Sequence, residues 1–246
     1  MKINVKAVND GVKKVIDIYE NNVKQSFEFY LKEGDVITEF VKIDGKEYPV
    51  FPWRNHAPLP GAQGKAARSI GDRCHMKCSE YEPKTTKINQ LLFRETDICE
   101  WFFGSKIKHV FALKNGDTIN AILDHECGGV STLELAAVMP EEAEPQGQRR
   151  MFAEHGFVCD QPLGHKISPE AVYLFNNGEH PLTFTDASVD LYGLNLAEIE
   201  AVSSVYYMLL GSDDKEEIAA QYARLKDLNE KVMAKLNEKG VAEVWE

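Results

Sequence analysis

No glycine-rich turn of the form G-x-G-x-x-G occurs in this 246-residue chain. A dinucleotide site needs such glycines between a strand and a helix, so that backbone amides can approach the pyrophosphate. No G-x-x-x-x-G-K-[ST] occurs either, which removes a P-loop. Long apolar runs are missing too; the richest stretch, residues 205–210, carries Tyr206 and Tyr207, and none suits a membrane span. The opening MKINVKAVND has no apolar segment of the kind that directs secretion. Positive charge is short: 28 Lys and Arg stand against 39 Asp and Glu, a formal net charge of −11. Nucleic acid and acidic membrane surfaces are therefore not expected partners. Cysteine is sparse and odd in number, at Cys74, Cys78, Cys99, Cys127 and Cys159. That usage predicts reduced, mostly buried thiols and a cytoplasmic location.

What is present is ordinary globular composition, 43% hydrophobic and 27% charged. Ile3, Val5 and Ala7 alternate with polar residues like a strand, and residues 11–22 fit either helix or strand. Phe27, Phe29 and Leu31 alternate again, and a β-rich run over 36–43 ends at Asp44-Gly45, a hairpin signal. Residues 51–84 hold several prolines and glycines and show no clear period, so they read as a long polar loop. The spacing of Ile88, Leu91, Leu92, Ile98, Trp101 and Phe102 predicts a helix stopped by Gly104. Strands are expected over 108–113, 118–125 and 132–139, then a polar link over 140–150. Further strands are expected over 157–159, 171–175 and 182–185. Asn195 with Glu198 three residues on resembles a capping box opening a helix. A second helix is expected over about 213–239.

Four segments taken in order, FRETDICEWFFGSKIKHVFA, DTINAILDHECGGVSTLELAAVMP, QRRMFAEHGFVCD and LYGLNLAEIEAVSSVYYMLLG, resemble the C-terminal sheet domain of the Gfo/Idh/MocA oxidoreductases, the family of glucose–fructose oxidoreductase and inositol dehydrogenase. FRETDICEWFFGSKIKHVFA resembles that family's G-x-H-x-x-D-x-x-x-W-x-x-G helix and the strand after it. DTINAILDHECGGVSTLELAAVMP resembles its paired strands around a turn glycine, and QRRMFAEHGFVCD a strand entry. LYGLNLAEIEAVSSVYYMLLG resembles its closing helix. The resemblance implies an α+β fold: a mostly antiparallel open sheet with helices on one face, here with an irregular N-terminal extension. The organisation expected is N-terminal strands and loop over 1–84, the sheet domain over 85–211 and a C-terminal helix over 212–246. It also implies assembly through the sheet, as a homo-oligomer or paired with a related oxidoreductase subunit.

The departures from the family matter equally. Its nucleotide-binding Rossmann domain is not seen, and Glu82-Pro83-Lys84 holds the letters of its E-K-P motif in another order. The family's catalytic histidine falls on Arg94, the acidic position four before it falls on Gln90, and Asp97 remains. Hydride transfer would need the cofactor, the lysine and the histidine. No cofactor is therefore expected. The ligand class implied is a sugar, polyol or sugar acid, recognised by a binding module or companion subunit. The alternative is a cofactor-free hydrolase, lyase or isomerase.

The residues that suit such a ligand are an aromatic plate with donors and acceptors around it. Trp53, Arg54, Arg73, Gln90, Arg94 and Asp97 are the candidates for binding. His56, His75 and Glu95 are the candidates for acid–base work. These side chains are expected to converge where residues 51–84 fold over the helix bearing Arg94. Cys74-His75-x-x-Cys78 has zinc-ligand chemistry but only one clear pair, so no metal site is assigned.

Overall fold

The computed structural model describes residues 3–19, 23–55, 71–160, 171–176, 182–185 and 193–246, with backbone alone at 171–176 and 182–185. The chain divides into two compact units, one of residues 1–57 and 186–224, the other of 58–185 and 225–246.

The first unit begins with helix α1 (Val5–Ile18). The alternation of Ile3, Val5 and Ala7 predicts a strand there, but the helix wins. The Asn4 side chain accepts from the Lys6 and Ala7 amides, and Val8 and Val12 fall on one helical face and are fully buried. Strands β1 (Phe27–Leu31), β2 (Glu39–Ile43) and β3 (Lys46–Pro49) form an antiparallel sheet. Its hairpin turns at Asp44 and Gly45, both at positive φ, as the sequence predicts. Asn9 of α1 pairs with the backbone of Phe29 in both directions, each bond 2.9 Å. Residues 52–55 form one 3-10 turn.

Helix α3 (Leu196–Leu210) closes this unit, and Asn195 and Glu198 make the expected capping box. Glu198 also accepts from the Asn4 amide at 3.0 Å, so one carboxylate serves the starts of two helices. Ala201, Val202, Val205 and Met208 pack with Val8, Val12, Phe29 and Val41 in one core. Glycine is needed at position 11, where a Cβ would stand 2.8 Å from Val202 Cγ2.

The second unit is built on a nine-stranded sheet in the order β11-β10-β9-β8-β4-β7-β6-β5-β12. Its strands are β4 (Arg73–Pro83), β5 (Ile107–Asn115), β6 (Thr118–His125), β7 (Val130–Met139), β8 (Gln146–Ala153), β9 (Gly156–Cys159), β10 (Ala171–Asn176), β11 (Leu182–Thr185) and β12 (Val241–Trp245). The β4–β7 pair is parallel and the other pairs are antiparallel. Three segments differ from the sequence expectation. Residues 73–83 are not loop but a central strand, residues 146–150 at the end of the expected polar link open strand β8, and β12 has no counterpart in the prediction.

Helix α2 (Ile88–Phe103), ended by Gly104 at positive φ, packs on β4, β6 and β7. Helix α4 (Lys215–Lys239) runs through the boundary of the two units, and its Asn229 amide donates to the Asn89 carbonyl at 3.0 Å. Helices thus cover one face of the sheet, which buries Val110, Ala112, Leu123, Leu133, Leu135 and Met76. The alternate residues form the open face. The α+β class, the open and mostly antiparallel sheet and the one-sided helices are as expected. No helix among the described residues is long and apolar enough to cross a membrane.

Candidate functional site

β4 is the strand that brings chemistry under α2. Strand alternation sends Met76, Cys78, Glu80 and Glu82 to the covered face and His75, Lys77, Ser79 and Tyr81 to the open face. Two buried acids thus lie where the same strand first buries apolar side chains. Arginines from α2 and β8 meet them. Arg94 lies 2.9 Å from Glu82 Oε1 and 3.6 Å from Glu80 Oε2 through Nη2, and donates to Glu95 Oε1 at 2.8 Å through Nε. Arg149 of β8 holds Glu95 in a fork, with two bonds of 2.8 Å. It also reaches Asp160 at 3.2 Å and stands 2.8 Å from Glu80 Oε1.

This is a cluster of six charges: Glu80, Glu82, Glu95 and Asp160 against Arg94 and Arg149. Bidentate pairing gives it fixed geometry. Burial would raise the Glu95 carboxyl, but Arg149 and Arg94 outweigh it and hold Glu95 below the usual carboxylate range. Glu80 differs. Burial dominates there, with Glu95 and Asp160 adding repulsion, and despite Arg149 and Arg94 the carboxyl is pushed up to about 7. Its Oε1 is buried and is met by Arg149 Nη2 at 2.8 Å as an ion pair rather than as an aligned hydrogen bond. Its room comes from Gly147, directly opposite in the β4–β8 register, where a Cβ would stand 2.2 Å from the Glu80 carboxylate. Arg94 keeps 26% of its side chain exposed, so the cluster reaches the surface there.

Of the residues singled out in the sequence, Arg94 and Glu95 come together in this cluster. Asp97 is fully buried on the same helix, and Gln90 is half-buried a turn before Arg94. Arg73 begins β4 and donates to the Phe102 carbonyl at the far end of α2. His75 is on the opposite face of the sheet from Arg94. Its ring stacks on Phe152 with centroids 6.1 Å apart, its Nε2 lies 3.2 Å from Thr132 Oγ1, and burial followed by Lys77 lowers its pKa. Trp53 and Arg54 belong to the first unit, where Trp53 stacks on Phe51 at 5.3 Å and the Arg54 guanidinium lies 4.7 Å over the same ring. His56 lies outside the described residues.

The alternation of β4 also separates His75 from Cys74 and Cys78, so these three cannot share one metal ion. Cys78 and Cys99 are fully buried, 3.8 Å apart, and the hydrogen bond between them together with burial raises the Cys78 thiol. His125 is a satisfied core histidine. It stacks on Phe103 at 4.2 Å, faces the Ser105 carbonyl through Nδ1 and pairs with Ser131 Oγ at 2.8 Å through Nε2.

Glu80, Glu82, Arg149 and Asp160 were not singled out by sequence reasoning. The signal for the two glutamates is their i, i+2 spacing after Met76 and Cys78, which is visible only once the segment is known to be a strand.

No family model matches the sequence, and no curated protein matches it. Solved structures do match in fold, and they are oxidoreductases of the Gfo/Idh/MocA type. An oxidoreductase from Pseudomonas syringae is 12% identical with a TM-score of 0.59, covering 80% of this chain and 64% of its own. An inositol dehydrogenase homologue from Azotobacter vinelandii, solved with NADH and myo-inositol, is 11% identical with a TM-score of 0.58, covering 81% and 64%. An oxidoreductase from Agrobacterium radiobacter, solved with NAD+, L-tartaric acid and magnesium, is 12% identical with a TM-score of 0.56, covering 80% and 62%. The chain thus spans less than two thirds of the length of these relatives in fold.

Proposed function

From a fold shared with sugar and polyol oxidoreductases, we propose that this chain recognises a sugar, polyol or sugar acid without a nicotinamide cofactor of its own. It acts as a binding module or as a companion subunit that pairs through the open face of its sheet. The observation that carries the reading is the charged cluster under α2. The resemblance locates substrate-handling residues on this helix, and here the position of the catalytic histidine holds Arg94, tied to three carboxylates. An arginine so held orients polar groups but does not shuttle protons near neutrality. Glycine-rich phosphate-binding sequence is missing from the chain, which supports the cofactor-free part of the reading.

Calorimetric titration of the purified chain tests both parts. Binding is expected for at least one of a panel holding myo-inositol, glucose and glucuronate, and neither NAD nor NADP should bind. Micromolar affinity for either nucleotide defeats the cofactor-free reading; silence across the sugar panel defeats the ligand class.

One observation favours a second reading, a cofactor-free hydrolase, lyase or isomerase. Glu80 is a carboxyl lifted to about 7, the range in which a group both gives and takes a proton at neutral pH. Product formation from a panel sugar, followed by proton NMR and abolished by Glu80→Gln, would establish it.

A further inference from the structure

In the first unit, helices α1 and α3 run side by side in the same direction. The Asn4 amide meets Glu198 at one end, and the Tyr19 and Tyr206 rings meet at the other, with centroids 6.2 Å apart. Between the helices lies a cavity of about 370 Å³. Small-molecule pockets run from about 300 to 1,000 Å³, so this one has room for a compact ligand. Val15, Leu194, Ile199 and Val202 line its apolar part, and Tyr19, Tyr206 and Tyr207 its aromatic end. Tyr206 also lies 5.9 Å from Tyr207. Rings this close leave no slot between them, so the three tyrosines form one wall on which a flat ring stacks from outside.

Asp10, Lys14 and Ser203 line the same cavity. Ser203 stands one turn before Tyr206 and Tyr207 on α3, Lys14 little more than one turn before Tyr19 on α1, and Asp10 one turn before Lys14. None of the three has a hydrogen-bond or ion-pair partner among the described residues. Comparable groups elsewhere in the chain do find partners. Ser204 gives its hydroxyl to the Glu200 carbonyl at 2.9 Å, and on α4 Asp227 and Lys231, spaced as Asp10 and Lys14 are, pair at 2.5 Å.

We propose that this cavity binds an aromatic α-amino acid, with its ring on the tyrosine wall, its carboxylate on Lys14 and Ser203 and its ammonium group on Asp10. The ligand is zwitterionic because the cavity is: a carboxylate and an ammonium group one turn apart face it and leave one another unpaired. Charge-assisted hydrogen bonds to both are open only to a ligand that carries both signs close together. An aryl acid satisfies Lys14 and is repelled by Asp10; an aryl amine satisfies Asp10 and is repelled by Lys14. The order of groups along the cavity matches the ligand as well, since an amino acid carries its charges a carbon or two from its ring. The charged cluster of the second unit takes no part, so this inference stands or falls independently of the sugar reading.

Proton–nitrogen correlation spectra of the full chain test it, recorded during titration at pH 7 with L-phenylalanine, 3-phenylpropionate and phenethylamine. Phenylalanine is expected to bind tightest, by at least about fivefold over each probe that lacks one charge. The factor is modest because Asp10 and Lys14 are exposed and water screens them. The shifted amides should include those of Gly11, Lys14 and Ser203. Asp10→Asn should bring phenylalanine level with 3-phenylpropionate, and Lys14→Gln should bring it level with phenethylamine. Both positions are exposed, so neither variant should disturb the fold. Tyr19→Ala should weaken all three probes. The inference is overturned if phenylalanine at millimolar concentration shifts nothing, if the shifts fall away from α1 and α3, if a singly charged probe binds as tightly, or if phenylalanine keeps its lead in either charge variant.

Discussion

Glu80 makes the stability of this chain depend on pH with an unusual sign. Folded, it takes up its proton at about 7, against an ordinary value of 4.5. Between those values the folded chain holds a proton that the unfolded chain has lost. Stability from this group is therefore full below about pH 4.5, declines as pH rises through about 7, and is flat beyond. Glu95 works the other way: its contribution is present above about pH 4.5 and is lost on further acidification. Chemical denaturation at a series of pH values should show Glu80→Gln flattening the decline between about 4.5 and 7; an unchanged slope would place the titrating group elsewhere. Arg149 is the hub of the same cluster. Arg149→Met leaves Glu95, Glu80 and Asp160 short of their partner in a buried setting. It should lower unfolding free energy by about 3–5 kcal/mol, whereas a change under about 1 kcal/mol would mean that water reaches these acids.

At the scale of elements, the contact of α1 with α3 tests close packing. Gly11→Ala should gain about 1 kcal/mol of helix preference. It also places a methyl 2.8 Å from Val202 and 3.3 Å from Leu194, and overpacking of this kind costs about 1–3 kcal/mol. The net expectation is a lower melting temperature, recovered when Val202→Ala opens space for the methyl; additive losses in the double variant would show that the two side chains do not meet. Local signals of this kind were legible in the sequence. Asn195 with Glu198 marked the start of α3, Asp44-Gly45 marked the β2–β3 turn, and Gly104 marked the end of α2. β4 was not legible, because strand prediction expects apolar residues on a buried face and Glu80 and Glu82 occupy it. The partner that makes those acids tolerable, Arg149, comes from a strand far along the chain, in a stretch whose polarity hides it as well. α1 was misread since a short alternating start fits both periods until Asn4 is seen capping the helix. Of the candidate site, Arg94 and Glu95 were found through resemblance, and the acids they answer to were found only through pairing register.

At the scale of the whole molecule, the open face of the sheet is the surface that asks for a partner. Phe111 and Ile122 are cross-strand neighbours on it, Leu113 lies beside them, and Trp245 is 66% exposed at the β12 edge, stacked on His109 at 4.0 Å. Contiguous apolar side chains on a strand face mark association more often than display to water. Light scattering should give a mass above that of one chain, and Ile122→Lys should return it to a monomer; a wild-type monomer at high concentration counts against pairing through this face. The discontinuous make-up of the first unit has a further consequence, for the order in which the chain becomes itself during synthesis. The bond from the Asn4 amide to Glu198 spans 194 residues. At roughly 5–20 residues per second, a ribosome supplies α3 about ten to forty seconds after α1. Throughout that interval Val8 and Val12 have only the strand side of their core, Phe29 and Val41, to pack against, and the face of α1 that later meets Val202 stays open.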